Sequence, residues 1–254
     1  MTERGGGQDP VSADGLSPGP KPSASRIVVA VASTTAIVTA AAYLAPESYA
    51  ATAVGMLFLA ATYVLVLRHD AGFIRSHGLA LGGLFEPEPL DPARLLGNTM
   101  VAFAIALAFV IIIAAPFAWG FHAYYSAAYH LKMAFHFEAL RSVAREAPGQ
   151  VLVIALPEEA FFRGYLQSEL DALFVARRRF LGADVSLAIP VAALVFAVGH
   201  VLTRPDPGRL AVFFPGLLFG YLRARTKGIG ASVMLHALCN LLSSALAAGY
   251  GLHA

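Results

Sequence analysis

Seven apolar runs recur along this chain, several of them close to twenty residues without a charge. A run of that length is what a helix needs to cross the hydrocarbon core of a bilayer. Strands would span only as a closed barrel, which calls for segments of about ten residues alternating apolar and polar. These runs do not alternate. The chain is 57% hydrophobic and 13% charged, and its mean hydropathy of +0.66 belongs to an integral membrane protein. The expected fold is all-α, a polytopic transmembrane helical bundle of about seven to eight helices. A net charge of +2 is too small and dispersed for nucleic acid, and the single Cys239 excludes an internal disulfide.

Residues 1–25, rich in Gly, Pro and Ser, read as a disordered tail ahead of a transmembrane helical domain over 26–254. The expected spans are 27–44, 49–67, 95–118, 149–174, 186–202, 210–222 and 229–248. The first could instead be a signal peptide, although its polar leader is long for one. Residues 68–94 read as a polar connection with an interfacial turn near Leu79. Residues 119–147, where aromatics alternate with His122, His130, His136, Lys132, Arg141 and Arg145, read as an interfacial amphipathic segment. Those three histidines fit no zinc spacing. Gly216 and Gly220 form a small-xxx-small pair that invites close helix packing.

Lys and Arg are distributed unevenly between the two sides of this scheme. With the N-terminus inside, twelve cations collect on the inner side and five on the outer, with Arg163 left within a span. The positive-inside rule therefore orients the N-terminus to the cytoplasm. The alanine-rich composition suggests a bacterium of high genomic GC, and so its cytoplasmic (inner) membrane.

Charge inside the spans is the costly exception. Glu158, Glu159 and Arg163 stand within one apolar stretch, where each ionised side chain costs roughly 2.5–3.5 kcal/mol on an insertion scale. Glu159 and Arg163 are four apart and share a helix face, so they can pair. Glu158 points about 100° away and is left as a candidate general base, with His200 its natural partner on another span. Phe196 lies one turn before His200 and packs against it. His236 and Asn240, also four apart, present an imidazole and a carboxamide able to donate to an oxyanion. Each feature has a structural alternative: Glu159–Arg163 as a packing pair, the histidines as interhelical hydrogen bonds, and Asn240 as interhelical glue. Cys239 faces away from His236 and reads as a small apolar residue. The polar groups could also serve a proton-relay transporter, yet no inverted repeat is visible.

Glu158-Glu159-x-x-x-Arg163, Phe196-x-x-x-His200 and His236-x-x-x-Asn240, in this order on successive spans, resemble the CaaX-processing and bacteriocin-processing (CPBP, or Abi) family of intramembrane glutamic endopeptidases. The match covers roughly 148–248, the expected catalytic core. The resemblance implies that Glu158 and His200 activate water for attack on a peptide carbonyl. It implies an oxyanion hole of His236 and Asn240, with Glu159 and Arg163 in support. The implied function is peptide hydrolysis near the C-terminus of membrane-associated protein substrates, either CaaX-type or exported sorting-signal proteins as in the myxosortase-like branch. The alternative is a non-enzymatic bacteriocin immunity or scaffold protein. No cofactor is required, although Glu158, His200 and His236 could in principle hold zinc. The expected partners are a membrane-bound protein or peptide and the lipid bilayer.

Overall fold

The computed structural model describes residues 19–86, 89–129, 135–137 and 140–252. The tail proposed for 1–25 lies mostly outside these residues, as do His130 and Lys132. Each expected span coincides with helical structure. Helix α1 (Ala24–Leu44) and α2 (Glu47–Thr62, continued by a π turn, Tyr63–Leu67) form an antiparallel pair joined at Pro46. Short α3 (Ala71–Ser76) begins at Asp70, whose carboxylate accepts the Phe73 N–H at 2.8 Å. Then follow α4 (Pro92–Tyr129), a composite helix α5 over 147–173, α6 (Ala188–Thr203), α7 (Phe213–Thr226, entered through a 3-10 turn at Pro207–Val212) and α8 (Gly230–Gly249). Among the described residues, four of these helices are long and apolar enough to cross a membrane: α1, α2, α4 and α8. The three that carry the remaining spans are shorter or interrupted.

Two expectations need correction. The third span does not stop at residue 118, because α4 continues past Pro116 and Trp119 to Tyr129. Residues 119–129 are thus the end of a long helix rather than a separate interfacial segment. Nothing at 119–129 breaks a helix, and a proline such as Pro116 is tolerated in a membrane helix. Secondly, Arg177-Arg178-Arg179 is more than a stop signal. Strands β1 (Arg178–Phe180) and β2 (Ala183–Val185) pair antiparallel, Phe180 opposite Ala183, around Leu181 and Gly182. Both turn residues have positive φ, 42° and 79°, the type I′ geometry that matches strand twist. The Tyr221 hydroxyl donates to the Leu181 carbonyl at 2.9 Å and ties the turn to α7.

Helix α5 occupies the centre, against α1, α2, α6, α7 and α8. Its residues 160–166 are buried on every side, as expected of a helix surrounded by helices. It is not a regular α-helix: π segments at Gln150–Ala155 and Ala160–Leu166 flank an α turn at Leu156–Glu159. Pro157 gives a reason. It has no N–H to donate to the carbonyl of Val153, four residues back, and its ring crowds that oxygen. The wider turn relieves the crowding, and such bulges concentrate at functional sites. The Val153 carbonyl oxygen instead faces Gly55 of α2, 2.3 Å from where a Cβ on Gly55 would stand. Gly55→Ala therefore forces α2 away from α5. We expect a loss of about 1–3 kcal/mol, read by thermal unfolding in detergent; unchanged stability would mean that the two helices do not meet this closely.

The expected packing role of Gly216 and Gly220 takes a specific form. Arg163 Nη2 donates to the Gly216 carbonyl at 3.1 Å and Gln167 Nε2 to the Gly220 carbonyl at 3.0 Å. Two residues four apart on α5 thus engage two backbone oxygens four apart on α7. A Cβ on Gly220 would stand 2.9 Å from both the Gln167 side-chain oxygen and Ile189 of α6, so the absence of a side chain permits the approach. At the far end of α5, Glu169 meets His77 Nε2 at 3.3 Å and Arg26 at 3.4 Å, while Arg223 donates to the Ser76 carbonyl and the Ser168 hydroxyl, each at 3.1 Å. That end is fastened by polar contacts.

Candidate active site

The midsection of α5 presents two adjacent carboxylates to different surroundings. Glu159 is fully buried. Its Oε1 lies 3.1 Å from Arg163 Nη1, an ion pair by distance without hydrogen-bond alignment, and accepts from His236 Nδ1 at 3.0 Å. The expected i, i+4 pair is formed, and Glu159 is engaged twice over. Arg163, with no exposed surface, sits over two aromatic faces, 4.6 Å from the Phe196 centroid and 5.2 Å from that of Phe219. Such cation–π contacts gain strength when desolvated.

Glu158 differs from its neighbour. Its side chain retains 12% exposure against 0% for Glu159. Its Oε2 has no hydrogen-bond partner among the described residues and lies 3.8 Å from His236 Nε2, a separation that suits a bridging water rather than a direct bond. His200, on α6, is close enough for Glu158 to be a principal charge acting on it. Its Nδ1 donates to the Phe196 carbonyl at 3.0 Å, and its ring meets that of Phe196 at 4.4 Å. A carbonyl only accepts, so the proton of neutral His200 resides on Nδ1 and Nε2 carries the lone pair.

His236 is clamped from both faces, stacked on Phe219 at 4.9 Å and edge-on to Phe196 at 5.7 Å. With Nδ1 committed to Glu159, Nε2 is the nitrogen turned towards Glu158. Asn240, one turn further along α8, donates from Nδ2 to Gln150 Oε1 at 3.0 Å. Glu158, Glu159, Arg163, His200 and His236 are thus gathered by α5, α6 and α8, and Asn240 adjoins through Gln150. Cys239 is buried. His122 pairs with Ser126 at 3.3 Å, apart from this cluster. Among the described residues, no group of three or more His, Cys, Asp or Glu is arranged to hold a metal ion.

Sequence reasoning missed Phe219 and Gln150. Phe219 resembles any aromatic in an apolar helix, and Gln150 reaches Asn240 across ninety residues of sequence. A polar Gln near the start of an apolar run was the available signal.

A family model described as type II CAAX prenyl endopeptidase, Rce1-like, matches residues 101–242. The chain belongs to the Rce1-like family. The matched stretch contains all the residues gathered above, from Gln150 to Asn240. The family is one of membrane proteases, and the spans described here make this member an integral membrane protein. No curated protein and no solved structure matched the chain. The Rce1-like assignment thus rests on the family model, and it agrees with the all-α membrane architecture.

Proposed function

We propose that this Rce1-like protein is a metal-independent glutamic endopeptidase that hydrolyses a peptide bond near the C-terminus of a membrane-associated protein. The observation that carries the reading is the division of labour between neighbouring carboxylates: Glu159 is buried and engaged by Arg163 and His236, whereas Glu158 keeps a free oxygen and some exposure. A carboxylate so placed is suited to accept a proton from water.

In this scheme Glu158, with His200 Nε2, holds a water and takes its proton as the oxygen attacks the peptide carbonyl carbon. The developing oxyanion is met by His236 and by Asn240, whose carboxamide keeps a second N–H beyond the one given to Gln150. Donation by His236 from both nitrogens requires the imidazolium, whose charge is compensated by Glu158 and Glu159 on either side. The carbon–nitrogen bond then breaks, and the proton held by Glu158 passes to the departing amine. No covalent acyl-enzyme forms. An apolar groove of about 570 Å³ between α1 and α6, reaching Gly199 and Leu202 at the end of α6 that carries His200, suits the lipid-bearing part of a substrate. His200 lies towards the end of α6 remote from the Arg177–Arg179 hairpin. If that cationic hairpin faces the cytoplasm, the site is biased outward, which favours exported sorting-signal proteins as substrates.

The test is cleavage of a prenylated CAAX peptide, and of a lipid-anchored sorting-signal peptide, by the full chain in liposomes, with products weighed by mass spectrometry. We expect one defined cut near the C-terminus, unchanged by a chelator. Loss of cleavage to the chelator with recovery on adding zinc would overturn the metal-free mechanism, and cleavage of neither peptide would overturn the peptidase reading.

A further inference from the structure

We propose that Arg209 anchors the free C-terminal carboxylate of the substrate, an inference that rests on the peptidase reading above. Arg209 belongs to the turn Pro207–Val212 that joins α6 to α7, on the side of the bundle where α6 carries His200. The turn is preorganised. Pro205 and Pro207 each fix φ, and Asp206 Oδ1 accepts the Gly208 N–H at 2.8 Å. The Tyr124 hydroxyl of α4 lies 2.6 Å from where a Cβ on Gly208 would stand, so the turn is packed against a neighbouring helix.

From this frame the half-buried Arg209 reaches back to the site. Its Nη1 donates to the His200 carbonyl at 3.0 Å, with the Thr203 hydroxyl a longer contact at 3.4 Å. Neither Nη2 nor Nε has a hydrogen-bond partner among the described residues. One edge of the guanidinium caps α6, and the other donors are unspent. Burial and the nearby Arg204 hold Arg209 below the ordinary guanidinium range, while Glu158 and Asp206 act in the opposite direction. Glu158 is therefore within electrostatic reach. Guanidinium remains charged throughout the working range of pH.

The chemistry that fits such a group is a carboxylate. A peptide bond close to the chain end keeps the terminus near it, since each extended residue adds at most about 3.6 Å. The charge that Arg209 would meet is one that every uncapped C-terminus carries, whatever its side chains. Recognition of the terminus would also explain how a site in the membrane selects chain ends over internal bonds.

The experiment compares two lipidated peptides that differ only in ending as the free acid or as the carboxamide. Both are presented to the full chain in liposomes. For the wild-type protein we expect a KM about tenfold or more lower for the acid, in line with a charge-assisted hydrogen bond. Arg209→Gln should bring the acid-to-amide ratio close to one, and Arg209→Lys should retain part of it. Because the ratio is taken within each protein, a variant that merely loosens the α6 cap slows both peptides and leaves the ratio as in wild type. That result overturns the proposal, as does a wild-type ratio of one. Failure to cleave either peptide removes the peptidase reading and the proposal with it.

Discussion

Glu158→Gln should reduce kcat/KM on a terminal peptide by at least 10²–10⁴-fold, the range attributed to a positioned general base, while leaving the fold intact. The replacement preserves shape while removing the group that takes the proton and its negative charge beside His236. Among the described residues Glu158 Oε2 has no hydrogen-bond partner to lose, and the side chain is the more exposed of the two carboxylates. Thermal unfolding in detergent should therefore be close to wild type. In the host, comparison of protein C-termini between wild type and variant at equal expression should show precursors retaining their last residues only in the variant. A variant that still cleaves at the wild-type rate would remove Glu158 from the chemistry. Identical termini in both strains would favour the immunity or scaffold reading.

The second large effect concerns stability. Arg163→Met should cost about 3–5 kcal/mol, the range for breaking a fully buried ion pair by removing one partner. Neither Arg163 nor Glu159 has exposed surface, and the change strips Glu159 of its countercharge and the Gly216 carbonyl of its donor. The double variant Glu159→Gln with Arg163→Met should recover much of that loss, because the buried charge is removed with its partner. A chemical-denaturation series of wild type, single and double variants in one detergent tests this. A single variant as stable as wild type would show that the pair does not hold the bundle together.

The spans were legible because bilayer thickness and backbone hydrogen bonding leave a chain of this hydropathy little choice. Glu159 and Arg163 were equally readable, since a spacing of four on one helix brings them together whatever surrounds them. Other features depend on partners that no spacing encodes. Leu181-Gly182 lacks the Asn-Gly or Asp-Gly signature of a type I′ turn, so the hairpin looked like a cationic stop. The continuation of α4 beyond Pro116 was hidden because aromatics and histidines mark an interface as readily as a helix end. Gln150 and Arg209 gain meaning only once α8 and α6 lie beside them.

The two backbone oxygens of α7 that accept from Arg163 and Gln167 act as detents. Sliding α7 past α5 by one residue, about 1.5 Å, would turn its carbonyls through about 100° and break both bonds at once. The next register that restores the pattern is four residues away and would bring other side chains into the narrow seam now lined by Gly216 and Gly220. The pair therefore moves as a single rigid strut. Helix α1 stands at the edge of this strut, and with α6 it walls the groove that ends beside Gly199 and Leu202.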